Sequence, residues 1–124
     1  MVKCMKFHYE NLLIVKEIHA FISEIYKVTK KFPSEEKYGL ASQVRRSATS
    51  ILLNIAEGSA RRSSKEYARF IKISIGSLVE TDAAMKIGIN LGYVSSEEME
   101  EIEKLQKTIY FTLVGLRKKI ENIT

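Results

Sequence analysis

Leu53-Asn54-Ile55-Ala56-Glu57-Gly58-Ser59-Ala60-Arg61-Arg62-Ser63-Ser64-Lys65-Glu66 closes one helical pattern and opens another. Upstream of it, Leu40, Val44, Ser47, Ile51 and Ile55 recur at spacings of three and four, which is one face of a helix. Gly58 suits a left-handed C-terminal cap, and Ser63-Ser64-Lys65-Glu66 has the Ser-x-x-Glu form of a capping box. Only Ser59 to Arg62 lie between the two patterns. A joint this short makes the second helix fold back as an antiparallel neighbour of the first.

The same punctuation recurs on either side. Ile14, Ile18, Phe21, Ile25, Val28 and Phe32 form the apolar stripe of a first helix that Pro33 ends, and Ser34 with Glu35 and Glu36 reads as the start of the second. The third helix carries Tyr67, Ile71, Ser74, Leu78, Met85 and Ile89 and closes at Gly92. Ser95-Ser96-Glu97-Glu98 is a second capping box, followed by Ile102, Leu105, Ile109, Leu113, Leu116, Ile120 and Ile123 in a near-heptad repeat. The expected helices span about 9–31, 35–58, 64–91 and 96–122, after a loose lead-in over residues 1–8. The fold class is all-α, an antiparallel up-down-up-down four-helix bundle, with residues 1–124 as one domain.

Composition agrees with that reading. One proline, six glycines and no tryptophan leave little turn punctuation for an all-β fold. No run of about 18 apolar residues is present, so no membrane span is expected. The single Cys4 forms no internal disulfide and the N-terminus lacks the apolar run of a signal peptide, so the expected setting is cytoplasmic. The formal net charge of +5 favours a polyanion or an acidic protein surface as partner.

Apolar side chains also fall on faces turned away from the core. Leu53 of the second helix, Ile73, Gly76, Ala83, Ile87 and Leu91 of the third, and Phe111 of the fourth lie opposite their core stripes. A helix with two apolar faces has two packing partners, so these residues are candidates for a homo-oligomer interface, with Gly76 and Ala83 admitting a close neighbour.

The basic residues concentrate between Arg45 and Lys72. Arg45, Arg46, Arg61, Arg62, Lys65, Arg69 and Lys72 stand against Glu57 and Glu66, making them candidate nucleic-acid-binding residues. The same pattern also fits ion pairing with Glu80, Asp82 or the acidic start of the fourth helix across a subunit contact, or a solvated face. No aromatic platform is interleaved with these residues in sequence, which argues against reading single strands by base stacking. Glu57 is expected to pair with Arg61 or another nearby arginine, Asn54 with backbone groups at a helix end or on a neighbouring helix, and Asp82 with an arginine or a hydroxyl such as Thr81.

Catalytic constellations are not assembled. His8 and His19 lack metal-ligand spacing, Cys4 lacks a base, and no Glu-x-x-His or glycine-rich phosphate loop occurs. A non-enzymatic protein without catalytic residues, metal or cofactor is expected.

A resemblance sharpens the picture. The runs 26–33 (YKVTKKFP), 36–40 (EKYGL), 42–48 (SQVRRSA), 54–58 (NIAEG) and 64–66 (SKE), then Phe70, 76–78 (GSL) and 91–93 (LGY), resemble the four-helix bundle proteins encoded in intervening sequences of bacterial 23S ribosomal RNA genes. That family is in turn similar to the accessory variability determinant of diversity-generating retroelements, a pentameric basic barrel that associates with a reverse transcriptase and nucleic acid. The resemblance implies a homopentameric ring with a nucleic-acid or ribonucleoprotein role, or a scaffold for an acidic protein partner. Where the family commonly has Pro-Ser this chain has Leu52-Leu53, and Val15 replaces a common early tryptophan. Without that proline the second helix is expected to run straighter.

Overall fold

The computed structural model describes residues 7–123; the start of the expected lead-in, including Cys4, lies outside them. A 3-10 turn over His8–Asn11 precedes α1 (Ile14–Thr29), a second over Ser34–Glu36 precedes α2 (Leu40–Ser59), and α3 (Ser64–Asn90) and α4 (Ser96–Glu121) complete the described chain. α2 packs on α1 and α3, and α4 closes the bundle against α3 and α1, the up-down-up-down arrangement expected. Ile18, Phe21 and Ile25 of α1, Val44, Ile51 and Ile55 of α2, Ile71, Leu78 and Met85 of α3, and Ile102, Ile109 and Leu113 of α4 are all fully buried. Burying each such side chain contributes about 1.5–3 kcal/mol. Ile123, expected on the fourth stripe, lies past the end of α4 and is exposed.

Two helix starts depart from expectation. The first helix begins at Ile14 rather than Tyr9, which joins the 3-10 turn instead. The second begins at Leu40 rather than residue 35, and Ser34 makes no capping bond. Its cap is supplied from outside the helix: the Leu40 N–H donates to Glu36 Oε1 at 3.1 Å, while Tyr93 Oη donates to Glu36 Oε2 at 3.0 Å. One carboxylate thus serves both the start of α2 and the α3–α4 joint. That hydrogen bond, with partial burial and the charge of Glu36, raises the Tyr93 phenol above its ordinary value.

Gly58 is not the left-handed cap. It sits buried inside α2, where a Cβ would come within 2.6 Å of Phe70 Cβ and 3.1 Å of Tyr67 Cδ1. Close approach to α3, and not a positive φ, is what requires glycine there. Gly92 is the residue with a left-handed backbone, φ 82°, and it ends α3 as expected. The capping box at Ser95 is complete, with the Glu98 N–H donating to Ser95 Oγ and the Ser95 N–H donating to Glu98 Oε1. At Ser63 only half of it forms: the Glu66 N–H donates to Ser63 Oγ at 3.2 Å, but the Glu66 carboxylate turns to Arg69.

Where α2 meets α3 the seam is small and polar. Ser47 Oγ and Thr81 Oγ1 share a buried hydrogen bond of 2.8 Å, Ser50 and Ser77 share one of 2.9 Å, and Ser74 Oγ donates to the Ile51 carbonyl at 2.7 Å. Asn54 Nδ2 donates to Ser50 O and Oγ, both at 2.8 Å, so it bonds one turn back within α2 and not to a helix end or a neighbouring helix. With Leu52-Leu53 in place of Pro-Ser, α2 runs unbroken through this seam.

Candidate nucleic-acid interface

The chain-order patch from Arg45 to Lys72 does not survive as one surface. Arg45 and Arg61 are separated by most of α2, which rises about 21 Å from Arg45 to its end at Ser59 at 1.5 Å per residue. Arg45 belongs to the α1–α2 packing: its guanidinium lies 4.8 Å from the Tyr26 ring centroid and Nε donates to Thr29 Oγ1 at 2.8 Å. Arg46 is exposed on the rim of a groove of about 620 Å³ between α2 and α3, with Tyr38, Ser42, Gln43, Ser50, Ser77 and Glu80.

The other five cations gather where α2 ends and α3 begins. Arg61 and Arg69 lie over the ring of the buried Phe70 at 4.9 and 4.7 Å from its centroid. Each also holds a carboxylate: Arg61 Nη2 is 2.8 Å from Glu57 Oε1, the expected pair, and Arg69 Nε is 2.8 Å from Glu66 Oε2. The hydrogen bond from Arg69 and its charge, with Arg61 and Lys65 adding to them, hold the Glu66 carboxyl below the usual carboxylate range. Arg62, Lys65 and Lys72 are exposed, with no ion-pair partner among the described residues.

Antiparallel packing adds what chain order does not show. The C-terminus of α4 runs beside the N-terminus of α3, so a groove of about 610 Å³ is lined by Lys65, Glu66, Ala68, Arg69 and Lys72 from α3 and Glu121 from α4. Arg117, Lys118 and Lys119 therefore join the same end of the bundle. Over segments 57–72 and 117–121 the acidic residues are Glu57, Glu66 and Glu121, so cations prevail. The opposite end carries Glu97, Glu98, Glu100 and Glu101 at the start of α4. A last turn rich in Lys and Arg, read together with antiparallel topology, is the signal that would have found Arg117 to Lys119 from sequence.

Asp82 meets neither an arginine nor Thr81. Lys86 Nζ lies 2.9 Å from its Oδ2 and Gln106 Nε2 donates to its Oδ1 at 2.8 Å, while Thr81 is committed to Ser47 and the Ser77 carbonyl. Spacing explains the partner, because Lys86 stands one helical turn from Asp82 and no arginine does.

The outward apolar candidates project as their helical angles require. Leu53, Ile73, Ile87, Leu91 and Phe111 are 66, 40, 52, 51 and 63% exposed, Ala83 is exposed, and nothing lies within 4 Å of a Cβ placed on Gly76. They do not form one face: Ile73, Ile87 and Leu91 lie on the outer side of α3, opposite its buried stripe, whereas Phe111 lies across the α3/α4 groove with Val79 and Tyr110. Among the described residues no helix is long and apolar enough to cross a membrane, and no group of three His, Cys, Asp or Glu side chains is placed to hold a metal ion.

An all-α antiparallel four-helix bundle with one basic end is the class of protein these features define. The chain belongs to the 23S rRNA-intervening sequence protein family, whose model matches residues 10–115. A solved structure of a protein of unknown function from the S23 ribosomal protein family of Bacteroides thetaiotaomicron shares the fold, with a TM-score of 0.78 at 22% identity over 86% of this chain and 99% of that one. No curated protein matches the sequence.

Proposed function

We propose that this protein is a non-enzymatic, cytoplasmic homo-oligomer that binds nucleic acid or a ribonucleoprotein through the basic end of its bundle. One observation carries the reading: antiparallel α3 and α4 bring Arg62, Lys65 and Lys72 to the same end as Arg117, Lys118 and Lys119, with few carboxylates among them. Cations on a rigid helical surface neutralise phosphates and release counterions, which gives affinity without sequence preference. Copies joined through the exposed Leu53, Ile73, Gly76, Ala83, Ile87 and Leu91 face would present several such ends at once, so weak single contacts would add as avidity. Five copies are what the family resemblance implies.

A mobility-shift titration with structured RNA and with duplex DNA at two salt concentrations tests the reading. Binding is expected at low salt and should fall steeply as salt rises. Removing Arg61 and Arg62 together should weaken it and flatten the salt slope, by about 0.9 for each duplex phosphate no longer neutralised. Absence of binding at low salt, or indifference to both arginines, refutes the proposal.

The second reading is a scaffold for an acidic protein partner, favoured by the way Arg61 and Arg69 already hold carboxylates at 2.8 Å. Pull-down from nuclease-treated lysate separates the two, since a protein partner would survive the treatment and a nucleic acid would not.

A further inference from the structure

We infer that the outer groove between α3 and α4 takes an unpaired stretch of nucleic acid, its bases stacking on Phe111 and Tyr110 and its phosphates running onto Lys72 and Lys118. The inference rests on the nucleic-acid reading above and names the form of ligand that this surface selects.

Phe111 is 63% exposed and Tyr110 38%, and their rings meet edge to face with centroids 5.3 Å apart. They border a cleft of about 310 Å³ whose wall includes the exposed Val79. Neighbouring exposed aromatics with an open face are a platform for bases that have left a duplex; paired bases keep their faces stacked inside it. The cleft lies between the same two helices as the basic groove, further along them from the basic end. Lys65, Lys72 and Val79 follow one another at intervals of seven residues along one rim of α3, and Lys107, Phe111 and Lys118 at intervals of four and seven along the facing rim of α4. From Phe111 to Lys118 the rise is about 10 Å. In sequence the aromatics and the α3 lysines are some forty residues apart, which is why no interleaved platform is visible there.

The charges fit this occupant better than a second copy of the chain. Lys65, Lys72, Lys107 and Lys118 have no ion-pair partner among the described residues. The nearby carboxylates are largely engaged, Asp82 by Lys86 and Gln106, Glu66 by Arg69 and Glu121 by Arg117. An apolar subunit contact here would desolvate unpaired ammonium groups, which is costly, whereas phosphates would neutralise them. Glu103, with no ion pair among the described residues, lines the far end of the cleft, where it repels phosphate and so points the strand from Phe111 toward the basic end.

Fluorescence anisotropy with an unstructured oligonucleotide of about 15 nucleotides, as RNA, as DNA, and as the DNA annealed to its complement, tests the inference. The single strands are expected to bind at least about tenfold more tightly than the duplex at equal salt, with RNA against DNA deciding which polymer is preferred. Phe111→Ala should lower single-strand affinity about tenfold without altering the salt slope, and Phe111→Tyr should restore it. The Lys72→Ala and Lys118→Ala pair should lower it and reduce the slope by about 0.7 for each phosphate no longer neutralised. Because the chain contains no tryptophan, Phe111→Trp supplies a unique emission expected to be quenched by the strand. Circular dichroism and light scattering of each variant exclude loss of fold. Equal or tighter duplex binding, indifference to Phe111→Ala, or a lower mass for that variant overturns the inference; the first two leave the basic-surface reading intact. Failure of every probe to bind at low salt removes both.

Discussion

Gly58→Ala places two known effects in direct opposition. In a helix interior, glycine to alanine gains about 1 kcal/mol from propensity. Here the new Cβ would stand 2.6 Å from Phe70 Cβ and 3.1 Å from Tyr67 Cδ1, and the nearer atom is the root of its side chain. Phe70 cannot swing away without leaving the position where Arg61 and Arg69 cover its ring. α3 must therefore move off α2, against a seam already fixed by three interhelical hydrogen bonds. Overpacking of this kind costs about 1–3 kcal/mol, so the net expectation is destabilisation by about 1 kcal/mol. Gly115→Ala is the control, because nothing lies within 4 Å of its Cβ and the propensity gain of about 1 kcal/mol should appear undiminished. For a chain of this length 1 kcal/mol shifts Tm by about 4 °C, so thermal unfolding at matched protein concentration should place the two variants about 8 °C apart. Equal stabilisation by both substitutions would show that Gly58 is not held by close packing and would refute the reasoning.

Other expectations follow from the same geometry. Gly76→Ala has as much room as Gly115→Ala within one subunit, so it should raise Tm while lowering the mass seen by light scattering if a second copy packs there. Glu36→Ala removes the Leu40 cap and the Tyr93 partner together and should cost about 1–2 kcal/mol in urea unfolding, with Tyr93→Phe costing less than half of that. The hydrogen bond from Lys31, with those from Ser95, holds the Glu98 carboxyl below the usual range, so its contribution is present above the unfolded-state value and lost as pH falls through the lower folded one. Glu98→Gln should accordingly flatten the acid limb of a stability–pH curve and leave the slope above neutrality unchanged. The Ser47→Ala and Thr81→Val pair should cost less than the sum of the single changes, since each single change deprives the other hydroxyl of a buried partner.

The bundle is legible in the sequence because its apolar spacing and its two Ser-x-x-Glu signals agree with one another at the α2–α3 and α3–α4 joints. The start of the second helix is not, because Glu36 acts from outside the helix, with a side chain bonding forward to Leu40, a device that looks in sequence like an ordinary acidic first turn. Gly58 misleads for a related reason: a glycine near a helix end signals a cap unless the partner helix is known to press on it. The outward positions of Leu53, Ile73, Ile87, Leu91 and Phe111 follow from helical angles alone, and their exposure agrees. Their division between two faces does not follow, because it depends on where α2 and α4 sit around α3. The cationic surface is half visible for the same reason. Chain proximity groups Arg45 with Arg61, which α2 holds apart, and hides Arg117 to Lys119, which antiparallel packing brings close.

The hydroxyl seam between α2 and α3 has a consequence for which helix alignments the chain can adopt. Two helices that meet through leucines alone can slide by a heptad and find nearly the same contacts. Ser47, Ser50, Asn54, Ser74, Ser77 and Thr81 resist that: a seven-residue slip would leave only one pair of them facing, Ser47 with Ser74 or Asn54 with Thr81, and set the others against apolar neighbours, at about 1–3 kcal/mol for each buried group left unmet. The hairpin is therefore keyed as well as packed. That alignment sets the height of α3 against α2, and with it the level at which the α3 lysines stand in the bundle.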